Sequence, residues 1–169
     1  IDIKGPNGTD FLERVYTNSW RKLQVGQCRY GLMLGEDGMV MDDGVTARLG
    51  PNHYLMHTTT SGAAHVMAWL ERWLQTEWPD LKVYLTSVTD HWATVSINGP
   101  HSRNVVARLC SDVDLSNDAF PFLSVRVGTV LGVRVRIFRV SFAGELSYEI
   151  NVNANYGRTV WEATMEAGE

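Results

Sequence analysis

A six-residue pattern occurs twice in the chain and constrains the fold more than any other feature. Residues 1–6 read IDIKGP, and residues 95–100 read VSINGP. In each copy apolar and polar residues alternate, as on a half-buried strand, and a Gly-Pro pair then ends the strand. Proline suits the first turn of a helix, and apolar residues follow at helical spacing in both copies. The sequence therefore predicts two strand–GlyPro–helix units.

Short turns are predicted to join most of the other strands. Asp37-Gly38, a pair typical of tight hairpins, separates the apolar runs near 27–34 and 39–48. Further strands are predicted near 53–56, 82–89, 92–98, 122–130, 133–140 and 147–152, and helices over 61–78, from Pro100, and over about 155–167. Hairpin connections favour antiparallel pairing with helices on one face. We therefore expect an α+β fold of antiparallel sheets with packed helices.

Composition narrows the classes of function. The chain is 44% hydrophobic and 20% charged, which argues against disorder, and its net charge of −4 gives no basic surface for nucleic acid or anionic membrane. No apolar run approaches the roughly 18 residues of a membrane helix. Two cysteines, Cys28 and Cys110, make neither a disulfide framework nor a zinc site. Without a signal peptide, we expect a cytoplasmic protein.

The ends of the sequence suggest a piece of a longer polypeptide. Ile1 opens directly in strand-like sequence without a methionine, and Glu169 follows a helix-like stretch. No Gly-, Pro- or Ser-rich linker divides the residues between them. We expect residues 1–169 to form one domain of a larger chain.

The common catalytic signatures are absent from the sequence. Neither a glycine-rich dinucleotide loop, nor a P-loop, nor a nucleophile elbow occurs. His53 and His57 share one face of a predicted strand, but side chains four residues apart on a strand are about 13 Å apart. We therefore expect no metal site.

Carboxylates stand out at two places in the sequence because each interrupts an apolar β segment. Asp42 and Asp43 are adjacent, so on a strand they point to opposite faces. Either both are solvated at a strand end, or one is directed at a ligand. Glu149 is either a surface acid or a buried acceptor for a planar pair of N–H groups. The residue pattern leaves both pairs of alternatives open.

The segments around these acids resemble a known family. The resemblance is carried by YGLMLGEDG at residues 30–38, DDGVT at 42–46, HTTT at 57–60, FPF at 120–122 and SFAGELSYEI at 141–150. Together, and in this order, they resemble the folate-binding aminomethyltransferase domain, the family of the glycine cleavage T-protein. Within it they are most similar to the branch found at the C-terminal end of sarcosine oxidase alpha subunits.

The resemblance implies a reaction and its cofactors. Sarcosine would be oxidised to glycine by a flavin on another subunit, and the methyl-derived carbon would pass to tetrahydrofolate, giving 5,10-methylenetetrahydrofolate. Tetrahydrofolate would bind this domain, whereas FAD, FMN and NAD would bind elsewhere in the complex. The implied partners are the other subunits of a heterotetrameric sarcosine oxidase, and the isolated fragment would be inactive. Alternatives are a glycine cleavage aminomethyltransferase or dimethylglycine dehydrogenase-type domain, or a non-catalytic interaction domain.

The resemblance also assigns roles to residues. Asp43 matches the family's catalytic aspartate, which can take a proton from the folate amine and stabilise a cation. Glu149 matches the glutamate that binds the amino-pyrimidine edge of the pterin, and Tyr30 matches a tyrosine of the folate pocket. From its sequence alone, Tyr30 is also compatible with a sheet core. Three further positions of the folate site, where the glycine cleavage enzyme has an asparagine and two tyrosines, are Thr59, Phe122 and Phe142.

Overall fold

The computed structural model describes residues 1–169 and has the expected α+β architecture with antiparallel sheets. Cα packing groups the chain into two compact units, Ile1–Val88 and Thr89–Glu169. The boundary falls at a position where the sequence shows no linker composition. We call these the first unit and the second unit.

The first unit is a five-stranded antiparallel sheet with two helices, in the strand order β2-β3-β4-β1-β5. Its elements are β1 (Asp2–Lys4), α1 (Gly8–Val15), β2 (Cys28–Leu34), β3 (Val40–Gly50), β4 (His53–Met56), α2 (Ala63–Thr76) and β5 (Tyr84–Thr86). A short 3-10 turn at Thr60–Gly62 precedes α2. Its core is formed by α1, α2 and the inner face of the sheet, with Phe11, Leu12 and Leu70 fully buried.

The second unit is a four-stranded antiparallel sheet, in the order β6-β9-β8-β7, also with two helices. Its elements are β6 (Trp92–Asn98), α3 (Ser102–Leu109), β7 (Ser124–Val130), β8 (Val133–Arg139), β9 (Ser147–Asn153) and α4 (Gly157–Gly168). Val106 of α3 and Val160 of α4 share a core with Ile137 and Ile150 of the sheet. Both helices therefore pack on one face of this sheet.

The repeat seen in the sequence extends to four strands of each sheet; β5 of the first unit has no counterpart. The order β6-β9-β8-β7 reproduces the order β1-β4-β3-β2 of the first unit. The register agrees as well, because Ile3 pairs with Tyr54 and Ile97 pairs with Tyr148. We call positions that occupy the same place in the two units sister positions.

Two contacts show how closely the units correspond. The Tyr54 hydroxyl lies 2.6 Å from the Thr9 hydroxyl in α1, and the sister Tyr148 hydroxyl accepts a 3.0 Å hydrogen bond from Arg103 Nε in α3. Both tyrosines are fully buried. Each unit thus ties its first helix to the strand paired with its first strand.

A glycine in the second strand of each unit makes the same kind of close contact. A Cβ on Gly31 would lie 2.6 Å from the Tyr16 ring, and one on its sister Gly128 would lie 2.6 Å from Cys110 Sγ. A side chain fits at neither position, since real Cβ atoms do not approach other atoms so closely. These contacts favour the observed register of the strands that carry the two glycines.

None of the helices is both long enough and apolar enough to cross a membrane.

Candidate functional site

Strand β3 places its two adjacent carboxylates in different environments. Asp42 pairs with the core residue Met33 and is 6% exposed, whereas Asp43 pairs with Leu32 and is half-buried. Directly paired residues share a face of an antiparallel sheet, and successive residues alternate. Asp42 therefore points to the core face, and Asp43 points to the other face.

Tyr30 lies on the same face as Asp43 and contacts it. The Tyr30 hydroxyl donates a 2.6 Å hydrogen bond to Asp43 Oδ2, a diagonal contact between β2 and β3. This hydrogen bond and the carboxylate charge raise the pKa of Tyr30, so Tyr30 stays a neutral donor. Tyr30 is 48% exposed, which excludes the sheet-core interpretation. The pair presents an open aromatic ring beside a carboxylate whose Oδ1 can still accept.

Glu149 is a half-buried carboxylate of the second unit that lacks a protein partner. It is half-buried in β9, between Tyr148 and Ile150, which face the helices. Alternation places Glu149 on the face of the sheet opposite α3 and α4, paired with Ser96 and Phe138 in register. No hydrogen bond or ion pair to its carboxylate occurs in the structure, and burial raises the pKa of its carboxyl group. A half-buried acceptor of this kind is costly unless a donor reaches it.

The sister positions show that the fold does not require Tyr30, Asp43 or Glu149. Glu149 occupies the place of Leu55 in the first unit, a buried leucine that is 2% exposed. By the same register, Asp43 corresponds to Arg134, and Tyr30 corresponds to Val127. Because each unit folds with a different residue there, stability alone does not explain the acid–tyrosine pair or the half-buried glutamate.

The other three predicted site residues are exposed. Thr59 lies at the start of the 3-10 turn before α2, and its backbone N–H reaches the Asp42 carboxylate. Phe122 precedes β7, and Phe142 lies in the β8–β9 connection with its ring fully exposed. Phe122 lines a cavity of about 430 Å³ with Arg139 and Ser141. Asp43, Tyr30 and Thr59 thus belong to the first unit, and Glu149, Phe122 and Phe142 to the second.

Asp42 is a buried polar residue whose role the sequence did not identify. The signal was present, because adjacent acids on a strand must face opposite ways and one of them must turn inward. The sequence could not say which acid is buried or what meets it. Among the described residues, no cluster of three His, Cys, Asp or Glu side chains is arranged to hold a metal ion.

Comparisons with known proteins give the family. The model of the GCVT N-terminal domain matches residues 1–169, so the chain belongs to that family. It is 54% identical over 170 residues to the sarcosine oxidase subunit alpha of Corynebacterium sp. (strain P-1), covering 100% of this chain and 18% of that protein. The chain therefore spans less than a fifth of the length of that relative.

Two solved structures share the fold. One is the glycine cleavage system aminomethyltransferase T from Bartonella henselae, with a TM-score of 0.80 at 20% identity, covering 97% of this chain and 42% of that chain. The other is the heterotetrameric sarcosine oxidase from Corynebacterium sp. U-96 in complex with pyrrole 2-carboxylate, with a TM-score of 0.72 at 16% identity, covering 98% and 76%. The resemblance and the α+β fold expected from the sequence are confirmed.

Proposed function

We propose that this chain is the folate-binding, one-carbon-transfer domain of a sarcosine oxidase alpha subunit, with residues 1–169 as one domain built from two repeated units. The observation that carries the proposal is Glu149. It is a half-buried carboxylate without a partner, at a place where the sister unit has a buried leucine. A carboxylate can accept two parallel hydrogen bonds from a planar pair of N–H groups, and the amino-pyrimidine edge of a pterin presents such a pair.

The Tyr30–Asp43 pair of the first unit is suited to the reacting end of a folate. When bound, tetrahydrofolate supplies the nitrogens that accept the carbon. The Tyr30 hydroxyl holds Asp43 through Oδ2, which leaves Oδ1 to accept a hydrogen bond or a proton from an amine. The charge of Asp43 also favours a cation beside it. The exposed Tyr30 ring offers a flat surface for the ligand to pack on.

In this proposal the domain works with partners. The amine would be sarcosine, and its oxidation would occur on FAD or FMN, with NAD also bound elsewhere, in other parts of a heterotetrameric complex. The carbon would then reach tetrahydrofolate here and leave as 5,10-methylenetetrahydrofolate. Support comes from the identity of 54% to a sarcosine oxidase alpha subunit over the whole chain. The proposed compartment is the cytoplasm, and neither nucleic acid nor membrane is a proposed partner.

Replacing Asp43 with Asn in the assembled enzyme tests the catalytic role. The substitution keeps the shape but removes the base, and a positioned general base contributes about 10²–10⁴-fold. We expect formation of 5,10-methylenetetrahydrofolate to fall by at least about 100-fold, while flavin reduction by sarcosine stays unchanged. Asp37→Asn, in the exposed hairpin turn, is the matched control. An unchanged yield from Asp43→Asn would remove Asp43 from the reaction.

A second candidate function is a non-catalytic interaction domain. The fully exposed Phe142 and the largely exposed Phe122 favour it, because exposed aromatic side chains are common at protein interfaces. Titration of the assembled enzyme with tetrahydrofolate, followed by tryptophan fluorescence, separates the two functions. Saturable binding supports the folate site, and no binding at any concentration would favour the interaction domain.

A further inference from the structure

The carboxylate of Asp42 is tied to the segment that leads into α2. Both carboxylate oxygens lie 3.3 Å from the backbone N of Thr59, whose N–H donates to them. Asp42 is 6% exposed, and no Lys, Arg or His forms an ion pair with it. A nearly buried carboxylate therefore depends on one backbone donor, the Thr59 N–H, in place of a cation.

The start of α2 explains why this place accepts a negative charge. Thr59 begins the 3-10 turn Thr60–Gly62, and Gly62 immediately precedes α2. A Cβ built on Gly62 would lie 3.6 Å from Asp42 Oδ1, so the turn packs directly against the carboxylate. The N-terminal end of a helix carries partial positive charge, which favours an anion. Strand β3 and the start of α2 are thus joined through one side chain.

The sister turn shows that this tie is not needed to build the fold. Asn153, the sister of Thr59, begins the same kind of 3-10 turn with nearly the same backbone angles. There the Asn153 side chain itself accepts from the Asn155 N–H, and the sister of Asp42 is Val133. The second unit therefore forms this turn with an apolar residue on the neighbouring strand. The carboxylate is an addition found in the unit that carries Tyr30 and Asp43.

We infer that Asp42 is a positioning residue of the proposed folate site, an inference that rests on the proposed function. It holds Thr59 against the strand that presents Asp43, and so sets the spacing between these two site residues. The neighbouring backbone supports the same docking, because the His57 N–H donates to the Val45 carbonyl at 3.1 Å. Asp42 itself points away from the Asp43 face, so it acts through its neighbours.

Two variants in the assembled enzyme separate the hydrogen bond from the charge. Asp42→Val installs the sister residue, which removes the acceptor at a place where this scaffold accepts valine. Asp42→Asn keeps the shape and one acceptor oxygen for Thr59. We expect Asp42→Val to lower the rate of carbon transfer to tetrahydrofolate by about 10–100-fold, since small displacements of reacting groups carry costs of that order. We expect Asp42→Asn to restore most of the rate and neither variant to alter sarcosine oxidation.

Amide hydrogen exchange supplies a readout that does not depend on folate. The Thr59 amide should exchange about 10-fold faster in Asp42→Val and return toward the native rate in Asp42→Asn. Asp37→Val is the control, because Asp37 also accepts from a backbone N–H, that of Met39, but on the exposed hairpin. Asp37→Val should leave Thr59 exchange and carbon transfer unchanged.

The outcomes are distinct. Unchanged Thr59 exchange in Asp42→Val overturns the inference, whatever the activity. Faster exchange with unchanged carbon transfer also overturns it, because Asp42 would then hold the turn without serving the site. If the native enzyme transfers no carbon to tetrahydrofolate, the proposed function fails and the positioning role fails with it, while the exchange result still shows whether Asp42 holds Thr59.

Discussion

Replacing Glu149 with Gln should make the protein more stable and a poorer folate binder at the same time. In the native chain this carboxylate is half-buried without a donor, and burial raises its pKa above the ordinary value of 4.5. Glutamine has nearly the same shape but carries no charge to desolvate. Replacing a residue that is kept for binding at the expense of stability commonly raises the free energy of unfolding by about 0.5–2 kcal/mol.

The size of both effects follows from the environment of Glu149. A gain of about 1 kcal/mol corresponds to a rise in Tm of about 2–4 °C for a chain of this length. Binding should change in the opposite direction, because hydrogen bonds to a charged acceptor contribute about 1.5–3 kcal/mol and the Gln NH₂ group opposes a ligand N–H. We expect tetrahydrofolate affinity to fall by about 100-fold, or about 3 kcal/mol.

The raised pKa of Glu149 also predicts how the stability difference between the native chain and Glu149→Gln depends on pH. A carboxyl group whose folded pKa is raised binds its proton more tightly in the folded state than in the unfolded state. The native chain therefore loses stability as pH rises from 4.5 through the raised folded pKa, and the loss is complete above that value. The Glu149→Gln variant lacks this loss, so its advantage should be present at neutral pH and disappear below pH 4.5.

Thermal unfolding followed by circular dichroism, below pH 4.5 and at neutral pH, measures the change in Tm. Calorimetry with tetrahydrofolate on the assembled enzyme measures the change in affinity. Glu166→Gln is the matched control, since Glu166 is an exposed acid of α4 in the same unit, and it should change neither quantity. A Glu149→Gln variant that loses stability at neutral pH would show that Glu149 has a structural donor, and the reasoning from burial would be wrong.

Two further predictions concern the first unit. A Cβ on Gly44 would overlap the His57 carbonyl oxygen, so Gly44→Ala should lower the free energy of unfolding by about 1–3 kcal/mol through overpacking. Gly50→Ala on the same strand is the control, because its Cβ would meet only an ordinary 3.6 Å contact and should leave stability nearly unchanged. Urea denaturation of both variants measures the difference. Burial opposes ionisation of Asp2, but the charges of His53, whose Nε2 lies 3.1 Å from Asp2 Oδ1, and of Lys4, whose Nζ lies 3.2 Å from Asp2 Oδ2, outweigh burial and lower the pKa of Asp2. The stability from this group is present above its ordinary value of 3.8 and is lost as pH falls through the lowered pKa, so an Asp2→Asn variant with the native acid response below 3.8 would contradict this assignment.

The sequence predicted the elements of the fold because local signals set them. Alternating residues indicated β8, and the Asp37-Gly38 pair placed the turn between β2 and β3. The helix predicted over 61–78 is shorter in the structure, because residues 60–62 form a 3-10 turn and α2 ends at Thr76. The division into two units was not predicted, because it depends on which strands pair and not on linker composition.

The site was less accessible to sequence reasoning. The contact between Tyr30 and Asp43 depends on the register of β2 against β3, which a one-residue slip would destroy. The burial of Asp42 depends on where α2 starts in space. The absence of a donor near Glu149 becomes visible only when all of its neighbours are placed. The residue pattern already marked Asp43 and Glu149 as candidates, the resemblance added Tyr30 and the roles of all three, and the structure supplies their surroundings.

The duplicated scaffold suggests which substitutions to use when the candidate residues are tested. At three of the candidate positions the corresponding place in the other unit carries an apolar residue: leucine for Glu149, valine for Tyr30, and valine for Asp42. Replacing a candidate residue with its sister residue therefore removes a chemical group and introduces a side chain that the corresponding strand of the other unit already accommodates. Alanine scanning, which leaves cavities, mixes loss of chemistry with loss of packing. Transplants between halves should separate the two.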